Sequence, residues 1–319
     1  MSSSFISIGE SVHASIPRTG KIMAELHSLG KNAFTSESEP LNYIKGLIES
    51  QADEGAIYIA VNVDAFGEDD PDMTVRLMVE YVKLVRKWGK GIPVCIDSSN
   101  PDALITGLKE WHSTDKKVAK PLLNSIKTNT MDILMPLKKD YDFSFVAMLV
   151  DDEQLGDSGS KDPVGDLYRL AKTLFDPAVN KYGFKAEEVF FDTTAFPLAI
   201  DMPMNPGVSG FTYRTFQTIK KIKSDPRMKK AHCSLGVTNS VRDLPGRKIG
   251  VARAYVEVAM RYGLDAGIVN VSHKFGSEKK ADADLIKLVE AFAALDGSAE
   301  RTNDAMMLMG KFCAESRTS

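Results

Sequence analysis

Eight short runs of apolar residues recur along the chain, at Phe5–Glu10, Ala56–Val63, Ile92–Ser98, Leu122–Ile126, Phe143–Val150, Val189–Thr193, His232–Thr238 and Ala266–Val271. They are apolar on both faces and rich in Val, Ile and Phe, the composition of parallel strands covered on two sides. Between them the spacing changes. Leu41–Glu54, Thr74–Trp88, Pro101–Trp111, Met131–Lys139, Pro163–Lys181, Phe211–Lys223, Arg247–Tyr262 and Ala283–Leu295 carry apolar residues three and four apart, which predicts helices with one buried face. Asn100-Pro101 reads as a helix cap followed by proline in the first turn. Gly55, Gly89 and Gly263 stand where left-handed helix terminators are expected. Eight strands alternating with eight helices predict a closed (β/α)₈ TIM barrel, with a doubly wound open sheet as the alternative.

No Pro-, Gly- or Ser-rich linker divides the 319 residues, so a single domain is expected over 1–319, with a helical extension after about residue 297. The polar stretch Asp151–Asp162 is long enough for a lid over the barrel mouth, and Asn205–Gly210 reads as a loop. A composition of 43% hydrophobic residues supports a large core, and a formal charge of -3 argues against a nucleic-acid-binding surface. The basic stretch Lys220–Lys230 reads as a solvated helix end. No run approaches the roughly 18 apolar residues that would span a bilayer, and a soluble cytoplasmic protein is expected. Cys95, Cys233 and Cys313 are an odd number at wide spacing, which suits neither a disulfide framework nor a thiolate metal site. His13, His27, His112, His232 and His273 are scattered, so no metal is expected, although His273 follows the last strand closely enough to line a site. The acidic runs Glu68–Asp72 and Asp151–Glu153 read as solvated loops, and Ser98, Ser99 and Ser125 lack a recognisable histidine partner for nucleophilic work.

In such a barrel the loops after the strands form the functional face. The polar residues ending the apolar runs are Glu10, Asn62, Asp97, Asn124, Asp192 and Asn239, one from each of six strands. A carboxylate accepts two parallel hydrogen bonds and so suits a flat heterocycle that presents a ring N–H beside an amino group. An Asn amide donates to a ring carbonyl while accepting from a neighbouring N–H. Together they can read the 2-amino-4-oxopyrimidine edge of a pterin.

The segments Ile8-Gly9-Glu10, Val61-Asn62-Val63, Ile96-Asp97-Ser98-Ser99-Asn100, Leu123-Asn124-Ser125, Phe191-Asp192-Thr193 and Gly236-Val237-Thr238-Asn239-Ser240 resemble, in order and spacing, the methyltetrahydrofolate:corrinoid methyltransferases. These are pterin-binding barrels of the dihydropteroate synthase type. The resemblance runs from Ile8 to about Asn270 and includes Arg247 and the Gly263-Leu264-Asp265 turn. It implies that Asp97, Asn124 and Asp192 hold the pterin, with Asn62, Glu10 and Ser99 completing the pterin-binding set. Asn239 would be the catalytic residue, contacting the ring nitrogen that carries or receives the methyl group. An amide whose hydrogen bond tightens only as the carbon–nitrogen bond changes stabilises the transition state without tightening ground-state binding. The chain departs from the family pattern at Ala60, where an acidic residue is common, and at Thr193, where Pro is usual.

The resemblance further implies methyl transfer between a corrinoid (methylcobalamin) and tetrahydrofolate, leaning toward formation of methyltetrahydrofolate. The corrinoid would arrive on a separate corrinoid protein, and the enzyme would be a homodimer. Two alternatives remain. One is a dihydropteroate synthase-like condensing enzyme, which would need cations for departing pyrophosphate where this chain has Thr238-Asn239-Ser240. The other is a non-catalytic pterin-binding protein.

Overall fold

The computed structural model describes residues 5–68, 70–114, 117–150, 160–202, 207–277 and 279–316. Its eight strands are β1 (Ile6–His13), β2 (Tyr58–Asn62), β3 (Val94–Asp97), β4 (Leu122–Ile126), β5 (Ser144–Met148), β6 (Val189–Asp192), β7 (His232–Ser234) and β8 (Ala266–Val269). The helices are α1 (Pro17–Ser28), α2 (Glu39–Asp53), α3 (Pro71–Trp88), α4 (Pro101–His112), α5 (Met131–Leu134), α6 (Pro163–Asn180), α7 (Phe211–Ser224), α8 (Lys248–Tyr262), α9 (Ala283–Ala293) and α10 (Ala299–Ser316). All strand pairs are parallel and run in the order β7-β6-β5-β4-β3-β2-β1-β8. The ring closes between β7 and β8, where Ile268 N–H donates to Leu235 O at 2.9 Å and Gly236 bridges Ile268. The fold is the expected (β/α)₈ barrel.

Side chains alternate across a strand, so every second residue enters the barrel. Ile8, Ala60, Cys95, Leu122, Val146, Phe190 and Ala266 form a buried plug inside it. The residues between them, such as Ile59, Ile96, Leu123, Phe145 and Phe191, belong to the larger core shared with the helices. Two positions beyond the plug on each strand come Glu10, Asn62, Asp97, Asn124, Met148, Asp192 and Ile268. The strand period thus converts one apolar layer into a mostly polar layer directly above it, at the carboxyl ends of the strands.

Several local expectations need correction. The helix α1 was not expected, because it buries only Thr19, Met23 and Leu26 and its apolar spacing is thin. The predicted helix Met131–Lys139 is a single α-turn followed by a 3₁₀ turn over Met135–Lys139, since Pro136 has no N–H to continue the ladder. Gly55 and Gly263 are left-handed (φ 89° and 115°), but Gly89 is not (φ -76°). Lys90 and Gly91 take the left-handed conformation after α3 instead. The Asn100 cap forms as expected, accepting from Asp102 N at 2.9 Å. Residues 151–159 of the expected lid, Asp69 and residues 205–206 of the expected loop lie outside the described residues. The helix α10 follows residue 297 and buries Ala305 and Phe312. Among the described residues no helix is long and apolar enough to cross a membrane.

Candidate active site at the barrel mouth

A cavity of about 250 Å³ opens at the carboxyl end of the barrel. Glu10, Asp97, Asn124, Asp192 and Asn239, drawn from residues 229 positions apart at the extremes, all line it. Asp97 and Asn124 are register partners on β3 and β4, and Asn124 Nδ2 donates to Asp97 Oδ1 at 3.0 Å. This fixes the amide so that its Oδ1 is left as a buried acceptor without a partner among the described residues. Because Asn124 lines the cavity, this acceptor is open to an N–H or O–H from whatever fills it. Asp192 sits at the end of β6, where Thr194 N–H donates to its Oδ1 at 2.7 Å. That bond needs a sharp reversal of the chain, and Thr194 accordingly has φ 64°.

Two expected site residues take a different place. Asn62 and Ser99 do not line the cavity but belong to a latch beside it. Asn62 Oδ1 accepts from Asp64 N at 3.1 Å. The Asp64 carboxylate in turn accepts from Ser98 Oγ at 2.5 Å, Ser99 N at 2.6 Å and Ser99 Oγ at 2.8 Å. The turn after β2 is thereby tied to the turn after β3, which brings the Asn62 hydrogen bond and the Asp64 charge onto Asp97. Ala60 faces into the apolar plug, so the acid of this strand comes two residues after Asn62, at Asp64, rather than two before it. Asn239 is not at a strand end. The chain leaves extended geometry after Ser234 and tightens into a 3₁₀ turn over Val237–Val241, in which Ser240 Oγ donates to Val237 O at 2.8 Å. Local hydroxyl-to-backbone bonds of this kind compete with the strand ladder. The exposed Asn239 is therefore presented from a turn at the rim.

Other lining residues escaped sequence reasoning: His13, Met148, Thr194 and Thr238. The expected first strand stops at Glu10, whereas β1 continues to His13. Ser15 N–H donates to His13 Nδ1 at 3.1 Å, which places any proton of the neutral ring on Nε2. Burial pushes the His13 pKa down and the charge of Asp64 opposes it. His273 is absent from the lining and packs edge-on against Phe275.

The electrostatics of the mouth are acidic. Burial pushes the Asp97 carboxyl up to about 7, the charges of Asp64 and Asp192 add to the rise, and the Asn62 hydrogen bond opposes it. Burial raises Asp192 to about 6 against the Thr194 N–H. Glu10 is also raised, burial outweighing hydrogen bonds from the Thr238 hydroxyl and the Asn270 backbone. Carboxylates held above their ordinary range in a cleft await hydrogen-bond donors. The paired Asp97–Asn124 edge offers acceptors side by side, a geometry that matches adjacent N–H groups on a flat ring.

A parallel barrel with a carboxylate-and-amide ring above an apolar plug defines an enzyme class that grips a polar heterocycle at the strand ends. Residues 32–270 match the family model described as pterin binding enzyme. The chain belongs to the pterin binding enzyme family. In fold it is similar to a dihydropteroate synthase from Stenotrophomonas maltophilia, solved with imidazole bound in its active site, with a TM-score of 0.50 and 13% identity over 92% of each chain.

Proposed function

We propose that this enzyme transfers a methyl group between a corrinoid delivered by a partner protein and N5 of tetrahydrofolate, in the direction of methyltetrahydrofolate. In this reading Asp97, Asn124 and Asp192 hold the pterin edge, the Asn62–Asp64–Ser99 latch keeps Asp97 in place, and Asn239 contacts N5. A homodimer is part of the same proposal. The observation that carries it is the character of the rim beside the reacting end of the ring. That rim presents the Thr238 hydroxyl and the exposed Asn239 amide, and among the described residues no Lys or Arg lines the cavity. A neutral amide suits a nitrogen that gains or loses one bond, because its hydrogen bond can strengthen as charge develops there. The exposed position of Thr238 and Asn239 fits a methyl donor presented from outside the barrel. When bound, the corrinoid would supply the methyl group on cobalt; the chain's own residues bind and orient the acceptor nitrogen.

One observation favours a second reading. Arg242 is exposed, three residues beyond Asn239, with its guanidinium 3.5 Å from Asn239 Oδ1. A cation there could receive a departing pyrophosphate, as a dihydropteroate synthase-like condensation requires. Incubating the purified chain with methylcobalamin and tetrahydrofolate, and separately with p-aminobenzoate and a dihydropterin pyrophosphate, distinguishes the two. Methyltetrahydrofolate from the first mixture is the expected result. Dihydropteroate from the second would replace the methyltransferase reading, and folate binding without turnover in either would indicate a carrier.

A further inference from the structure

Glu10 is separated from the other carboxylates of the mouth by its place in the ring of strands. Asp97 and Asn124 are neighbours on β3 and β4. Glu10 stands on β1, and its Oε1 accepts from Thr238 Oγ1 at 2.7 Å, so it shares the β7–β8–β1 side with Asn239. In the binding mode proposed above, a bicyclic ring held by its pyrimidine edge at Asp97, Asn124 and Asp192 would extend its other half, with N5, toward this side.

The backbone is shaped to put Glu10 there. The register of β1 on β2 shifts between Gly9 and Val12, the signature of a bulge, and bulges re-aim side chains beside active sites. The bulge is braced from behind. Ser11 N–H donates to Gln51 Oε1 at 3.1 Å, and Gln51 Nε2 donates to Leu47 O at 3.0 Å, which holds this buried amide on α2. A Cβ on Gly9 would stand 2.2 Å from Gln51 Oε1, so a side chain there would displace the amide that braces the bulge.

We propose that Glu10 is the proton acceptor for N5 during methyl transfer, and that Gln51 positions it through the β1 bulge. This assignment rests on the methyltransferase reading above. In this reading the N5 lone pair would form the new carbon–nitrogen bond, and the electron pair of the broken methyl–cobalt bond would leave with the corrinoid. N5 then carries four bonds and a positive charge, and its proton passes to the Glu10 carboxylate. In the reverse direction the same carboxyl returns the proton as the methyl departs. The raised pKa of Glu10, set mainly by burial, brings the group nearer the pH at which it can both take and give a proton. The other titratable groups that line the cavity with it are His13 on β1, Asp97 on β3 and Asp192 on β6. Under the proposed binding mode, saturating tetrahydrofolate would keep Asp97 and Asp192 ionised through its N–H groups, leaving the profile to Glu10.

The test uses the full chain with methylcobalamin and saturating tetrahydrofolate, single-turnover rates being followed from about pH 5 to about pH 9 alongside folate affinity. In the wild type the rate rises with pH as Glu10 ionises. Glu10→Gln should lower it about 100-fold and flatten the profile, with folate affinity within about threefold of wild type. Glu10→Asp should recover part of both the rate and the pH dependence. Thr238→Val, which removes a donor that lowers Glu10, should move the profile midpoint to higher pH. An active wild type with Glu10→Gln equally fast, or slowed only through weaker folate binding, overturns this assignment alone, as does an unmoved midpoint in Thr238→Val. An inactive wild type overturns the methyltransferase reading and this assignment with it.

Discussion

The two ends of the barrel treat buried carboxylates in opposite ways. Below the sheet, at the amino ends of the strands, Glu188 accepts from Lys120 and lies 3.1 Å from Lys138 Nζ, and both lysines also reach Asp142, at 3.1 and 2.8 Å. Burial pushes Glu188 up, yet the hydrogen bonds of Lys120, the Lys185 backbone and Lys138 hold it below its ordinary value. Asp265 behaves likewise, burial being outweighed by His232 and Lys223, whose Nζ is 2.7 Å away. Above the sheet, Glu10, Asp97 and Asp192 have no ion-pair partner among the described residues, and burial leaves all three raised. Burial raises the carboxylates at both ends, and the net shifts differ in sign because the lower end supplies cations while the upper end buries its acids more deeply without them. The lower end is paired as folded, whereas the upper end leaves its carboxylates open to the ligand proposed above.

The largest effects should fall on opposite properties at the two ends. Asn239→Ala removes an exposed amide from the rim, and the methyl-transfer rate should drop about 100- to 1000-fold, as for loss of a transition-state donor. Folate affinity should stay within about threefold and stability within about 0.5 kcal/mol, because nothing buried is disturbed. Single-turnover rates, folate titration and urea unfolding measure the three; full turnover in Asn239→Ala would remove that side chain from the mechanism.

Glu188→Ala should do the reverse. It leaves Lys138, whose side chain is only 10% exposed, without its buried partner, and stability should fall by about 3 kcal/mol. The rate per folded molecule should not change. Because the folded pKa of Glu188 is depressed, its contribution is present above the unfolded value of 4.5 and is lost as pH falls through the folded one. Urea unfolding should therefore show the widest gap between wild type and variant above about pH 5, narrowing below about pH 4. A gap independent of pH would mean that the packing of Glu188, not its charge, holds the lower end.

The same contrast explains what could be read from the sequence. Period-two alternation places an inward polar residue two steps after an inward apolar one, so Cys95 to Asp97, Leu122 to Asn124 and Phe190 to Asp192 were visible as apolar runs ending in chemistry. The same rule picks out Asn62, whose amide accepts from the backbone of Asp64 and hydrogen-bonds Asp97 beside the cavity. Asp64 itself, the β1 bulge and the turn that presents Asn239 were not legible. The first two depend on contacts between segments far apart in sequence, Asp64 with Ser98 and Ser11 with Gln51, and the third on a local hydroxyl-to-backbone bond, Ser240 to Val237, that apolar periodicity does not register. His13 was lost for a simpler reason: the bulge breaks the alternation after Gly9, so the strand seemed to end three residues early.

The smallest predicted effect separates binding from folding within one residue. Asp97→Asn keeps the shape but removes the charge that burial, Asp64 and Asp192 disfavour. Folate affinity should fall about 30-fold, the loss expected of a charge-assisted hydrogen bond worth about 2 kcal/mol. Stability should move the other way. The folded pKa of about 7 lies above the unfolded 3.8, so the native state holds the extra proton between them and wild-type stability declines as pH rises through that window. The variant escapes this decline and should exceed wild type by about 2 kcal/mol at pH 8, with no gain near pH 4. Wild-type folate affinity should meanwhile strengthen as Asp97 ionises through about 7, a step that Asp97→Asn should lack. Folate titrations and urea unfolding at both pH values test the pair together. If Asp97→Asn bound folate as tightly as wild type while gaining stability, Asp97 would be a strained residue of the fold and not a ligand of the pterin, and the contrast between the two ends would lose its functional meaning.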